Sequence, residues 1–83
     1  HQSMYRSIIY VHSVNVVDKE LFTSEYNVYC RIRYRKQNTL CKVEFHENNK
    51  AQIILSEPLD AVAPGQTAVF YRDGMVLGGG FID

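Results

Sequence analysis

The chain has 83 residues, 46% of them apolar, and nine Lys and Arg against nine Asp and Glu for a net charge of zero. That length specifies one domain near the lower limit for a self-sufficient core, and the apolar content excludes a disordered segment. Neutrality excludes a uniformly basic nucleic-acid binder, and no apolar run approaches the roughly 20 residues of a membrane span.

In chain order the hydrophobic signals have period two and are bounded by turn residues, with no helical period. A first strand is expected over Ile8 to Val17, with Ile8, Tyr10, Val14 and Val16 on its core face and His12 interrupting it. Asp18 to Glu25 is a polar loop from which Leu21 and Phe22 fold over a barrel end. Tyr26 to Arg35 is the clearest strand. Tyr26, Val28, Cys30, Ile32 and Tyr34 form its core face, and Asn27, Tyr29, Arg31, Arg33 and Arg35 point outward. Gln37-Asn38 reads as a tight turn, after which Thr39 to Phe45 returns with Cys41, Val43 and Phe45 inward. His46 to Lys50 turns again, Ala51 to Leu55 is a fourth strand, and Ser56 to Gln66 is a longer connection.

Within that connection Ala63-Pro64-Gly65-Gln66 fits a type II turn, because Pro64 presets φ and Gly65 supplies the positive φ that follows. Thr67 to Tyr71 and Met75 to Ile82 form a last hairpin closed by Asp73-Gly74, a type I′ signal. Gly78-Gly79-Gly80 lacks the Lys-Ser/Thr and the helix of a phosphate loop, and marks the place where the last strand kinks to close the structure. Six short strands in so small a chain predict an all-β fold, a closed, six-stranded, antiparallel-rich β-barrel without open edges.

A two-residue turn at Gln37-Asn38 would set Tyr34 opposite Cys41, Cys30 opposite Phe45, Arg31 opposite Glu44 and Arg33 opposite Lys42. The cysteines would then lie four positions out of register, so buried free thiols are expected and no disulfide. Their spacing matches no zinc site, and a reducing cytoplasm is the default compartment.

Charge is unevenly spread. Five of the nine cations (Arg31, Arg33, Arg35, Lys36 and Lys42) fall in twelve residues, and no acid lies between Glu25 and Glu44. Cations held on one hairpin face suit an anion such as phosphate, whose oxygens match the guanidinium fork, and Tyr29 beside them suits a sugar or base. The candidate RNA-binding set is therefore Tyr29, Arg31, Arg33, Arg35, Lys36 and Lys42. The alternative is a solvated strand face, or a face that meets acidic side chains of a protein. His1, His12 and His46 have no partners spaced for a triad or a metal, and Glu57 and Asp60 are not marked as an acid–base pair, so no catalytic residue and no metal ligand is expected.

Several segments carry a resemblance. Ala61 to Asp83 places PGQ, AVFY and LGGG in order. Cys30 to Gln37 is a basic strand, Leu40 to Val43 the strand after it, and Ser56-Glu57-Pro58-Leu59 leads into the Pro-Gly turn. Together these resemble the end of the tRNA-specific 2-thiouridylases, older named tRNA (5-methylaminomethyl-2-thiouridylate)-methyltransferases. Val16 departs from the aromatic residue that this family often carries there.

The resemblance implies that residues 1–83 form a single C-terminal, translation-factor-like barrel of a larger cytoplasmic enzyme, in keeping with a chain that opens on His1. Such an enzyme uses ATP to adenylate C2 of the wobble uridine of certain tRNAs and replaces the oxygen with persulfide sulfur. Its SGGxDS-type nucleotide loop and catalytic cysteines would lie in the N-terminal and central domains, since neither Cys30 nor Cys41 matches them. The implied partners are tRNA, those two domains and a sulfur-donor protein. The barrel itself would carry no cofactor and no catalytic residue.

Overall fold

A computed structural model describes residues 4–83; His1 lies outside them. Six strands run in chain order: β1 Tyr5–Val16, β2 Val28–Ile32, β3 Thr39–His46, β4 Lys50–Asp60, β5 Thr67–Arg72 and β6 Met75–Ile82. They close into a barrel in the order β1-β4-β3-β2-β5-β6, with every neighbouring pair antiparallel. β1 and β2 therefore stand on opposite sides.

The interior is filled by the inward half of each strand: Ile9 and Val11, Val28, Cys30 and Ile32, Cys41 and Val43, Ile53 and Leu55, Ala68 and Phe70, Leu77 and Ile82. Phe70, the largest fully buried side chain, is worth about 1.5–3 kcal/mol on burial alone. One end is plugged as the sequence predicts. Leu21 and Phe22 pack against the core, and the Phe22 ring meets Phe45 and Phe70 edge-on at 5.2 and 5.5 Å. A 3-10 turn at Lys19–Leu21, capped by the Asp18 carboxylate accepting from the Glu20 N–H, sets that plug. Asn27 and Arg72 both donate to the Leu21 carbonyl and hold it down.

The Pro-Gly and Asp-Gly turns form as read. Gln66 N–H donates to Ala63 O with Gly65 at φ +87°, and the β5–β6 hairpin turns on Asp73 (φ +52°) and Gly74 (φ +77°). The glycine triplet is a closure element. A Cβ on Gly78 would overlap the Asn15 carbonyl and the Val16 backbone, and one on Gly79 the Ala68 carbonyl, so β6 lies against β1 on one side and β5 on the other.

Four expectations are corrected. On β1, Ile9 and Val11 point inward while Ile8 and Tyr10 are exposed. One extra residue between His12 and Asn15, with Ser13 at φ +52°, switches the phase, so that Val14 and Val16 face the core only after the bulge. On β2 the strand covers only Val28–Ile32, so Tyr26 and Tyr34 are exposed and not core.

The β2–β3 connection is not a two-residue turn. Val28 pairs with Cys41 and Cys30 with Thr39, which moves the hairpin six residues from the expected register. Arg31 then lies opposite Val69 of β5, and neither the Arg31–Glu44 nor the Arg33–Lys42 pair forms. Finally, β4 continues through Pro58 to Asp60. Three extra residues bulge out before Leu59 rejoins β1 opposite Arg6, and Pro58, without an N–H to donate, falls in that bulge.

The closure role of β6 has a measurable consequence. Gly78→Ala must displace backbone and hold a φ of +142°, and is expected to lower stability by at least about 2 kcal/mol. Gly74→Ala, at a positive φ in open space, is expected to cost only about 1 kcal/mol. Urea unfolding of the two variants reads the difference.

Candidate functional site

β2 carries Tyr29 and Arg31 on its outer face, and β5 sets Tyr71 and Val69 beside them: Tyr29 opposes Tyr71 and Arg31 opposes Val69. The Arg31 guanidinium lies over the Tyr71 ring, 4.6 Å from its centroid, and Nη2 donates to the Tyr71 hydroxyl at 2.8 Å. The contact fixes the plane of the guanidinium yet leaves most of its five N–H donors free.

After Ile32 the chain leaves the sheet. Arg33 N–H donates to Thr67 O at 2.8 Å, Tyr34 takes φ +72°, and Arg35 N–H returns to Ile32 O at 3.0 Å. This reversal throws Tyr34 into solvent, 91% exposed, with the Arg33 guanidinium 4.9 Å above its ring. The Arg35 side chain instead reaches back to the end of β4. Nη1 donates to Asp60 O at 2.8 Å and Nη2 to Ala61 O at 2.6 Å, with the Asp60 carboxylate 3.9 Å away. Arg35 is thus the brace of the 33–38 loop, its charge largely committed within the chain.

The result is an open basin of about 370 Å³ lined by Arg31, Arg33, Arg35 and Lys36 together with Tyr34, Val69 and Tyr71, and no acid lines it. A second basin of about 460 Å³ lies across the Arg31–Tyr71 ridge, where Tyr29 meets Asn38, Arg72 and Asp73. Of the six residues expected from the sequence, four share one basin and Tyr29 borders the next. Lys42 stands apart on β3, its ammonium 5.0 Å above the Tyr26 ring. Tyr71, Val69 and Tyr34 were not in the expected set. The first two reach the site only through the β2–β5 pairing, which joins segments distant in sequence, and Tyr34 follows from a turn that period-two alternation hides.

The other titratable groups among the described residues lie away from this basin. Cys30 and Cys41 are both buried and free, and two positions apart across β2 and β3 where four were expected. Burial pushes the Cys30 thiol up to about 12, and Cys41 is raised by burial first and its neighbour Cys30 second. His12 contacts Ser13, Asp83 and Phe81, and His46 lies beside Glu44; all these are surface contacts. Among the described residues no group of three or more His, Cys, Asp or Glu is placed to hold a metal ion, and no helix is long and apolar enough to cross a membrane.

Residues 6–82 match the family model described as the aminomethyltransferase beta-barrel domain. Full-length relatives are similar over most of the chain. The tRNA-specific 2-thiouridylase MnmA 1 of Bacteroides fragilis is 41% identical over 98% of this chain and 22% of its own length. That of Salmonella arizonae is 34% identical over all of this chain and 23% of its own length. MnmA 2 of Phocaeicola vulgatus is 44% identical over 82% of this chain and 19% of its own length. The chain therefore spans about a fifth of the curated relatives it matches.

Two measurements follow from this geometry. Arg35→Met removes two charge-assisted donors from the Asp60 and Ala61 carbonyls and is expected to lower stability by about 1 kcal/mol, read by thermal unfolding. Both thiols should resist an aromatic disulfide reagent at pH 8 until the barrel opens, so the labelling rate should follow unfolding across a urea series. Because their folded pKa values lie above the unfolded value, the stability they contribute is fully present below pH 9.0. It is lost as pH rises from there towards about 12.

Proposed function

Because this chain belongs to the aminomethyltransferase β-barrel domain family, we propose that it is the non-catalytic C-terminal barrel of a tRNA-specific 2-thiouridylase, and that its β2–β5 face holds tRNA. In this reading residues 1–83 are one domain of a larger enzyme. ATP binding, activation of the wobble uridine and delivery of persulfide sulfur belong to the N-terminal and central domains, with a sulfur-donor protein as a further partner. Two observations support that division of labour: the chain is about a fifth as long as its relatives, and its two thiols are sealed in the barrel interior, where a sulfur carrier has no access.

The observation that carries the tRNA reading is the acid-free basin of Arg31, Arg33, Arg35 and Lys36. In a chain of zero net charge such a concentration is a local field, and it attracts the anion that offers several charges at close spacing, a phosphate backbone. Arg31 is pre-oriented by Tyr71, Arg33 and Lys36 are exposed, and Arg35 fixes the loop that presents them. Three available cations predict a modest contribution that adds to contacts elsewhere on the enzyme.

The barrel's other side favours a complementary role. Ile8, Tyr10 and Phe81 are exposed around β1, diametrically opposite β2, and a face of that kind suits docking on the enzyme's remaining domains. The two faces do not compete.

Binding of the chain to bulk tRNA, measured from low to moderate salt, tests the proposal. With about three phosphate contacts, log K should fall with log salt at a slope of roughly −2 to −3. Arg33→Glu/Lys36→Glu should flatten that slope by about 2 while leaving the melting temperature near wild type. No binding even at low salt would leave the barrel with the docking role alone.

A further inference from the structure

Tyr34 is the least economical residue on the surface. It is a bulky aromatic, 91% exposed, and its backbone sits at φ +72°, a region that disfavours a side chain of this kind and that glycine enters freely. Its ring is not part of the core and the turn does not need it: the reversal is made by backbone bonds from Arg33 to Thr67 and from Arg35 to Ile32 and by the Arg35 side chain. What the strained conformation achieves is placement. It stands the ring at the rim of the basic basin with the Arg33 guanidinium against it, and the Tyr71 ring and Val69 line the same basin.

We propose that this basin is a subsite for one unpaired nucleotide, with the base stacked on Tyr34 and its phosphate held by Arg31, Arg33 and Lys36. The inference rests on the tRNA reading above and narrows it to a substrate class. A duplex offers a protein its phosphates and sugars but keeps its base faces in the stack, so aromatic rings at the wall of a phosphate site are useful only to a base that has left the helix. The size fits, because about 370 Å³ has room for one nucleotide. The chemistry fits as well: the face of the Tyr34 ring that Arg33 leaves open and the aliphatic Val69 for the base, cations for the phosphate, and no acid in the lining to repel it. Nothing in the lining reads a particular base edge, so the subsite is expected to be tolerant of sequence.

The experiment compares a short single-stranded oligouridylate with a blunt RNA duplex of equal charge, using wild type, Tyr34→Gly, and Arg33→Glu/Lys36→Glu. Tyr34→Gly removes the ring and relieves the positive φ together, so its melting temperature should stay level or rise. Its affinity for the oligouridylate should fall about tenfold with an unchanged salt slope, and its affinity for the duplex should not move. Tyr34→Phe should restore wild-type binding. If Tyr34→Gly binds both RNAs as wild type does while the charge-reversal variant weakens both, the contact is to backbone alone; the nucleotide subsite is then wrong and the tRNA reading survives. If wild type binds neither RNA nor tRNA at low salt, the tRNA reading fails and the subsite with it. A drop in the melting temperature of Tyr34→Gly would assign the ring a structural role and overturn the inference.

Discussion

Closure is the constraint from which the rest of this barrel follows. A sheet of six strands shuts around a core only if some strand comes close to both its neighbours, and here β6 does so where it has no side chains. Gly78 meets the backbone of β1 at Asn15 and Val16, and Gly79 meets β5 at Ala68. The same approach accounts for the irregularities on either side. β1 bulges between His12 and Asn15, and β6 inserts one extra residue opposite the Phe70–Tyr71 step, bringing Leu77 into the core. Once these bulges are absorbed, the inward positions of all six strands meet and leave Phe22 to seal the open end.

Closure also dictates where the charge goes. A barrel that pairs β2 with both β3 and β5 leaves β2 no edge, so all its polar character must lie on one outward row. That row is Tyr29 and Arg31, and it runs on into Arg33 where the strand ends. Arg31 opposite Val69 has no like charge to face, and the Tyr71 ring and hydroxyl steady it. The like-charge pairing that the assumed hairpin implied would have cost stability. The real register achieves the same concentration of cations without that repulsion, by sending Arg33, Arg35 and Lys36 into a loop where they spread around a basin.

What was legible in the sequence was whatever is decided locally. Pro64-Gly65 and Asp73-Gly74 form their turns because the φ values they need are built into those residues, and the alternation Cys41, Val43, Phe45 survives because β3 has no bulge. The basic cluster was visible because proximity in sequence became proximity in space. The failures share a different cause. A bulge at Ser13 flips Ile8 and Tyr10 outward, yet nothing in a strand's own alternation marks where an extra residue will be accommodated against a distant partner. The alternation Tyr26 to Arg35 runs past both ends of β2, because Arg33 and Arg35 continue a pattern that the backbone has already abandoned for Thr67 and Ile32. Tyr71 and Val69 were out of reach for the same reason, since their place beside Arg31 is a property of the β2–β5 pair and of neither strand alone.

The barrel divides into a sealed interior and a braced loop outside the sheet. The cysteines belong to the interior: thiols held inside a closed barrel and driven towards the protonated form pack as small apolar side chains. The second part is the 33–38 loop, which is outside the sheet and is held by one backbone bond to β5, one to Ile32, and the double grip of Arg35 on β4. That grip explains why Arg35 is only partly exposed while its loop neighbours Arg33, Tyr34 and Lys36 face solvent. Its charge adds to the field of the basin, but its geometry is spent on holding Arg33, Tyr34 and Lys36 in place. Bracing and exposure are thus carried by different residues, and the exposed ones stand on a loop that is already organised.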